Sequence, residues 1–434
     1  PAVAAQRGIH AERDPQREVR RRPAHHLLRR EGHRRRGARA PRLRIALVTE
    51  TWAPEVNGVA MTLGRMVDGL IRRGHGVQLI RPRQRPGETA AHGEGLEEVL
   101  ARGLRLPRYD GLKLGLPARV RLVREWSRQR PDLVHVATEG PLGWTAVTAA
   151  NKLRIPVSSD FHTNFDHYSG HYGMGWLRQP VAAYLRRFHN RSAVTFVPTA
   201  ALAAQLSAQG YRSVEVISRG VDTALYSPAR RDEALRRAWG LPPGGLAVIS
   251  VGRLAPEKNL GLAMRAFAAI RRLRPDARMV LVGDGPQRAA LARAHPDAVF
   301  VGMRHGEDLA AHYASADLFL FPSLTETFGN VTLEAMASGV CPVAYDYAAA
   351  AEVIRDLGNG ASVACGDEEG FIARAVQMAG ADALRAEFAR AARRSAEAID
   401  WERVNDRFAA ALLRVWRAGS GRPLDLSEPR PEET

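Results

Sequence analysis

Short apolar runs and helical-period stripes alternate along most of the chain. Arg44-Ile45-Ala46-Leu47-Val48-Thr49 reads as a buried strand. Val59, Leu63, Met66, Val67, Leu70 and Ile71 then recur at helical spacing, and Gly74 closes that helix. Val77-Gln78-Leu79-Ile80 is a second strand, and further strands are expected at 133–136, 156–159, 193–197 and 214–217, with helical stretches between them. A second series opens with Ala247-Val248-Ile249-Ser250-Val251 and a helix carrying Leu262, Met264, Ala266, Phe267 and Ile270. Strands at 279–283, 299–303 and 316–321 continue it, and Asn405 to Trp416 reads as a terminal helix. Such alternation predicts an α/β chain with parallel, doubly wound sheets. Ligands of these sheets bind outside the carboxyl ends of the strands, so the loops after strands are where chemistry is expected.

Three of those loops carry candidate chemistry. Residues 326–334 read E-T-F-G-N-V-T-L-E, after the apolar run 316–321 and its stop at Pro322-Ser323. Glu326 falls on the loop, Gly329-Asn330 opens a helix, Glu334 lies about one turn in, and Gly339 is the expected C-terminal cap. A helix start offers unpaired N–H groups and a positive dipole end, which suits phosphate. A carboxylate one turn along can accept two hydrogen bonds from a ribose diol, and one on the loop can grip a hexose hydroxyl beyond the phosphates. Arg253 and Lys258, on the loop after 247–251, are spaced to clamp a diphosphate. Two distant glutamates and a surface cation pair are the plain alternatives. On the loop after the first strand, Gly58 lets backbone approach a ligand closely and the helix start can face an anion. After 156–159 comes S-D-F-H-T-N-F, in which His162 stands directly beyond a strand. His167 and His171 follow, but their spacing is not that of a metal site.

The chain of 434 residues exceeds what one core usually serves, so two domains are the default. Only two cysteines are present, Cys341 and Cys365, which fits a reducing cytosol rather than a disulfide framework. The net charge of +17 is uneven: residues 1–42 hold thirteen Arg against four acids, more than half of the excess. That segment has few apolar residues, no period and no initiator Met. It is expected to be disordered, either a nucleic-acid arm or an upstream extension of the reading frame, of which the second is preferred. The tail after Arg417, rich in Gly, Pro and Glu, is expected to be disordered too. Arg119, Arg121, Arg124, Arg128 and Arg130 interleave with Val120, Leu122, Val123 and Trp126. A second basic cluster is Leu177-Arg178, Tyr184-Leu185-Arg186-Arg187 and Arg191. Both fit peripheral contact with an anionic membrane, or solvated helix faces whose stripes pack on the core. No run approaches the ~20 apolar residues of a membrane span. Neither G-x-G-x-x-G nor a Walker A loop stands in a supporting context, which disfavours nicotinamide dehydrogenases and P-loop enzymes. No nucleic-acid recognition motif accompanies the basic composition, so no nucleic-acid partner is expected.

The Glu, seven residues, Glu element resembles the signature of family 4 of the retaining glycosyltransferases of the GT-B fold, over about Arg44 to Trp416. T-E-T-W-A-P-E-V-N-G-V-A, T-E-G-P-L-G-W, S-D-F-H-T-N-F and G-R-L-A-P-E-K-N are similar to segments of the GDP-mannose-dependent α-mannosyltransferases. The resemblance implies two Rossmann-like domains facing a cleft, at 43–218 (acceptor side) and 219–400 (nucleotide sugar). A terminal helix, 401–417, would cross back to the first domain, with tails at 1–42 and 418–434. It assigns Arg253 and Lys258 to the donor diphosphate, Glu326 and His162 to the donor sugar, Glu334 to the ribose and Gly58 to the phosphate region. Met303 would lie near the nucleobase, and Phe328, Gly329, Asn330 and Val331 would complete the donor site. It further implies transfer of a hexose, mannose in particular, with retention, to a lipid-linked or glycolipid hydroxyl. The localisation expected is cytoplasmic or peripheral on the cytoplasmic membrane face. The nucleotide sugar is a co-substrate. No Asp-x-Asp occurs in the chain, so no catalytic metal and no cofactor are expected. A UDP-hexose-dependent glycolipid synthase of sulfoquinovosyl type and a nucleotide-sugar epimerase of the same fold are the alternatives.

Overall fold

Strands buried on both faces need helices above and below them. Every residue of Leu133–Val136, Ala247–Val251, Leu318–Phe321 and Cys341–Tyr345 is buried. The computed structural model describes residues 41–420, apart from residues 54, 56–57, 86, 106–112, 163–177 and 327. The basic segment before residue 41, the tail after 420, Asn57, Leu177, His167 and His171 therefore lie outside the described residues.

The first sheet has the order β10-β9-β8-β7-β1-β2-β4-β3. Its strands are β1 Arg44–Val48, β2 Gly76–Pro82, β3 His92–Gly93, β4 Leu96–Ala101, β7 Leu133–Val136, β8 Val157–Asp160, β9 Val194–Val197 and β10 Val214–Val216. All its pairings are parallel except that of β3 with β4. A separate hairpin joins β5 Gly103–Arg105 to β6 Lys113–Gly115. The apolar patterning did not suggest β4 or this hairpin, because L-E-E-V-L-A and K-L-G lack a clean strand period. Helices α1 Gly58–Arg72, α2 Arg119–Arg128, α3 Pro141–Lys152, α4 Arg178–His189 and α5 Ala200–Ala208 accompany this sheet. Gly58 is the first residue of α1 rather than part of the loop before it.

The second sheet runs β13-β12-β11-β14-β15-β16, all parallel. It comprises β11 Ala247–Val251, β12 Arg278–Val282, β13 Val299–Gly302, β14 Leu318–Phe321, β15 Cys341–Tyr345 and β16 Ala361–Val363. Among its helices are α6 Leu260–Leu273, α7 Gly306–Ala314, α8 Asn330–Ala337 and α9 Ala349–Val353. Strand order reverses beside β1 in the first sheet and beside β11 in the second. Such switch points open crevices at the carboxyl edge of doubly wound sheets. They fall between β1 and β7, and between β11 and β14.

The last helix, α10 Trp401–Gly419, packs on α1 of the first sheet. Its Val404, Phe408, Ala411 and Leu412 share a buried cluster with Ile45, Leu47, Leu63 and Met66. Asn405 Nδ2 donates to the Arg65 carbonyl at 3.2 Å, and Arg72 Nη2 pairs with Glu402 Oε1 at 2.7 Å. The stripe on α2 resolves into two parts: Leu122 and Trp126 are buried in the core, whereas Val120 is 74% exposed beside the solvent-facing arginines.

Candidate active site

The second switch point is built from two loops tied to one another. Leu324 N, after β14, donates to the Glu257 carbonyl, after β11, at 2.9 Å, and Ser323 Oγ lies 3.3 Å from the same oxygen. The loop after β12 joins them, with Leu254 N donating to the Asp284 carbonyl at 2.8 Å. The approach is so close that a Cβ on Gly283 would lie 2.0 Å from the Gly252 carbonyl oxygen, and only glycine fits there.

On this platform Lys258 forms an ion pair with Glu326, and Ser323 Oγ donates to the same Glu326 oxygen at 2.8 Å. The Lys258 ammonium also lies 5.7 Å from the Phe321 ring centroid. Arg253 is more exposed and pairs with Glu257 at 2.7 Å. Gly329 takes φ +91°, a left-handed turn that starts α8 with Asn330 at its first position. The start of α8 thus follows directly on the loop that carries Glu326. Phe328 is buried, Val331 packs against the core beneath, and Met303 is 55% exposed just beyond β13.

Glu334 lies one turn into α8. Tyr313 Oη, from α7, donates to its Oε2 at 3.0 Å, and Tyr226 is a second hydroxyl partner. Burial pushes the Glu334 carboxyl up to about 7, although both hydroxyls pull it back down. Burial likewise raises the Tyr226 and Tyr313 hydroxyls, with the Glu334 charge adding to it. Two fixed donors leave a carboxylate with further lone pairs for incoming hydroxyls. Neither tyrosine was singled out as a site residue. Tyr226 lies near the boundary of the two expected domains and Tyr313 within α7, and neither has a sequence motif around it.

At the first switch point the candidates are Gly58 and His162. Gly58 is exposed, and a Cβ there would meet nothing within 4 Å, so steric closeness does not explain it. His162 is buried at 4% exposure directly after β8. Its Nε2 lies 3.0 Å from Asp160 Oδ2 and its Nδ1 lies 2.6 Å from Arg219 Nη2. His135, on β7, faces the same Asp160 oxygen at 3.6 Å. The two imidazoles hold Asp160 well below the usual carboxylate range against the cost of burial. Burial, and then the Arg219 charge, lower His162.

Beside this line, Glu50 Oε1 accepts from Leu142 N at 2.9 Å at the start of α3. Burial pushes Glu50 up to about 7. Tyr184 Oη, from α4, donates to the Glu139 carbonyl at 2.5 Å, and burial plus the Glu50 and Glu139 charges raise it to about 12. Glu50, Glu139, Asp160 and Arg219 were not recognised as site residues in the sequence. For the acids, a position immediately past a strand end was the signal available.

The description "Glycosyltransferase Family 4" matches residues 56–225, and "Glycosyl transferases group 1" matches residues 245–380. A GDP-mannose-dependent alpha-mannosyltransferase of Mycobacterium tuberculosis is 35% identical, over 88% of this chain and 98% of its own. A sulfoquinovosyl transferase of Arabidopsis thaliana is 30% identical over 74% of this chain and 65% of its own. Among solved structures, a sucrose-phosphate synthase from Thermosynechococcus elongatus covers 87% of this chain and 100% of its own at a TM-score of 0.71 and 17% identity. With two α/β sheets and these matches along most of its length, the chain belongs to glycosyltransferase family 4, group 1, and is a hexosyltransferase of the GT-B fold.

Proposed function

We propose that the protein transfers mannose from GDP-mannose, with retention at the anomeric carbon, to a hydroxyl of a lipid-linked or glycolipid acceptor. The observation that carries this reading is the meeting of Lys258, Glu326 and the α8 start at the β11/β14 switch point, with Glu334 one turn further on. The high identity to a mannosyltransferase supports the choice of sugar and base.

In this reading Arg253, Lys258 and the α8 N–H groups hold the diphosphate, and Gly58 borders it. Glu334, presented by Tyr313 and Tyr226, takes the ribose hydroxyls. Glu326 positions the hexose, and Met303, Phe328, Asn330 and Val331 line the nucleotide. The anomeric carbon–phosphate oxygen bond breaks while the acceptor oxygen bonds to the same carbon on the same face. The acceptor proton passes to the departing diphosphate oxygen. The main catalytic contribution is then stabilisation of the leaving diphosphate by fixed positive charge and helix N–H groups.

A membrane-proximal acceptor is supported by one surface. Leu104, Leu116 and Val120 are exposed on the β5/β6 hairpin and the start of α2, next to exposed Arg119, Arg121 and Arg124. Peripheral contact with an anionic bilayer follows from such a face. Among the described residues, no helix is long and apolar enough to cross a membrane.

A UDP-hexose donor is the second reading, favoured by the similarity to a sulfoquinovosyl transferase. A donor screen by hydrolysis and calorimetry, with GDP- and UDP-sugars side by side, tests both. GDP-mannose should be bound and turned over in preference to UDP-hexoses. Preference for a UDP-sugar overturns the first reading, and conversion of the donor sugar to its epimer without acceptor overturns transfer itself.

A further inference from the structure

His162 has its Nδ1 hydrogen-bonded inside the protein, and its Nε2 faces a buried carboxylate. A guanidinium has donors and no acceptor, so the 2.6 Å contact from Arg219 Nη2 makes His162 Nδ1 the acceptor. The ring proton of the neutral imidazole then sits on Nε2, which faces Asp160 Oδ2 at 3.0 Å. Asp160 is in turn flanked by His135, whose Nδ1 lies 3.0 Å from Ser158 Oγ and whose ring meets the edge of Phe408 on α10. Arg219, Asp160 and His162 are all at most 5% exposed.

Arg219 does not reach this place on a loose loop. Gly220 passes so close to the start of α10 that a Cβ would lie 2.8 Å from the Trp401 backbone. Val221 N donates to the Ile399 carbonyl at 3.3 Å, and Val221 bridges to Asp400. The segment that leaves the first sheet for the second is therefore pinned against the chain's return. Its guanidinium is delivered from a fixed backbone.

We propose that Arg219 is a positioning residue for sugar transfer: donating to His162 Nδ1, it fixes the Nε2–H tautomer, with that nitrogen turned toward Asp160, and so holds the ring in one orientation from the connection between the two sheets. This rests on the proposed function, with His162 bordering the donor sugar as the family resemblance implies. The groups that face the ring, Arg219, Asp160 and, more remotely, Glu139, all act on its protonation, and burial together with Arg219 keeps it neutral. A lysine at 219 retains a charge and a donor. A methionine retains bulk and neither.

The test combines spectroscopy with kinetics. In histidine-labelled protein, assigned by the difference spectrum of His162→Gln, His162 should show a pyridine-type Nδ1 and a protonated Nε2. Arg219→Met should redistribute the tautomers or protonate the ring. It should also cut kcat about tenfold or more, as expected for loss of a charge-assisted hydrogen bond. Nucleoside diphosphate affinity should change by less than about twofold, and Arg219→Lys should recover part of kcat. A wild-type ring protonated on Nδ1 overturns the proposal, as does an Arg219→Met enzyme with unchanged ring signals and unchanged kcat. Should Arg219→Met not fold, the wild-type spectrum and the Arg219→Lys kinetics decide the matter. The tautomer is readable without any donor, so an enzyme that transfers no mannose counts against the proposed function and leaves this outcome legible.

Discussion

Lys258 and Glu326 form one ion pair between the loops that follow β11 and β14, and Ser323 donates to the same carboxylate oxygen. The two residues carry separate duties in the donor reading, diphosphate for one and hexose for the other. A diphosphate that takes the ammonium therefore competes with Glu326 for it. Glu326→Gln keeps the size and removes the competing charge. Nucleoside diphosphate affinity should then rise several-fold, a part of the ~1.5–3 kcal/mol of a charge-assisted bond. Sugar transfer should fall about tenfold or more, because the lost contact acts on the reacting hexose. Lys258→Met should weaken nucleotide binding and transfer together. Calorimetry with nucleoside diphosphate, beside transfer kinetics, separates these outcomes. Equal losses of nucleotide affinity in the two variants would refute the competition.

Glu334 and Glu50 make stability depend on pH in an unusual direction. Burial raises each carboxyl from 4.5 to about 7 in the folded state. Between those values the folded chain keeps protons that the unfolded chain has released, so stability falls as pH rises. The full effect is at most about 3.4 kcal/mol per group, from 1.36 kcal/mol per pKa unit, and solvent access to Glu334 reduces it. The double variant Glu50→Gln with Glu334→Gln should gain on the wild type from pH 5 to about pH 7, and level off above it, in denaturant titrations. Parallel stability curves across that window count against buried, proton-holding carboxylates.

The strands and the switch-point loops were legible because a parallel sheet buried on both faces writes itself as short apolar runs, such as Leu318–Phe321, each followed by a polar loop. Loop residues facing the crevice, such as Lys258 and Glu326, were legible for the same reason. What the sequence hides is which distant group each one meets. Lys258 bonds Glu326 rather than standing free for phosphate, and Arg253 bonds Glu257. Tyr313 and Tyr226 lie far from Glu334 in the chain and reach it only through packing of α7 and the connecting segment. Arg219, at the expected domain boundary, drew no site assignment because nothing local marks a guanidinium that will be buried against a histidine just past another strand. The stripe of α2 read as either membrane-facing or core-facing, and it is divided between Val120 outside and Leu122 and Trp126 inside.

The exposed face around Val120 makes a prediction of its own. Vesicles containing anionic lipid should carry the protein down on sedimentation at low salt, and release it as ionic strength rises. Replacing Arg119 and Arg124 with glutamate should abolish that binding while leaving thermal stability nearly unchanged, since both are exposed. Wild-type protein that stays in solution with anionic vesicles at low salt overturns membrane contact through this face.

The last prediction concerns metal. A leaving diphosphate needs positive charge, and no Asp-x-Asp is present anywhere in the chain to bring a divalent ion to it. The cations at the second switch point are Arg253 and Lys258, each partnered by a carboxylate, Glu257 and Glu326. Taken as four charges they cancel, so their value to a diphosphate depends on those partners giving way. Arg253 is 55% exposed at its side chain, and its pair with Glu257 is of the weak, solvent-screened kind. Lys258 is bound more deeply, but in the proposed reading Glu326 turns to the hexose and releases it as the donor enters. The α8 start adds N–H groups that carry no counter-charge. Turnover should therefore persist in excess EDTA within about twofold of the untreated enzyme. Arg253→Ala should cost about tenfold or more in turnover, and added Mg²⁺ should not restore it. Activity lost on chelation and regained only with Mg²⁺ or Mn²⁺ would show that side chains and the helix start do not suffice to carry the leaving charge.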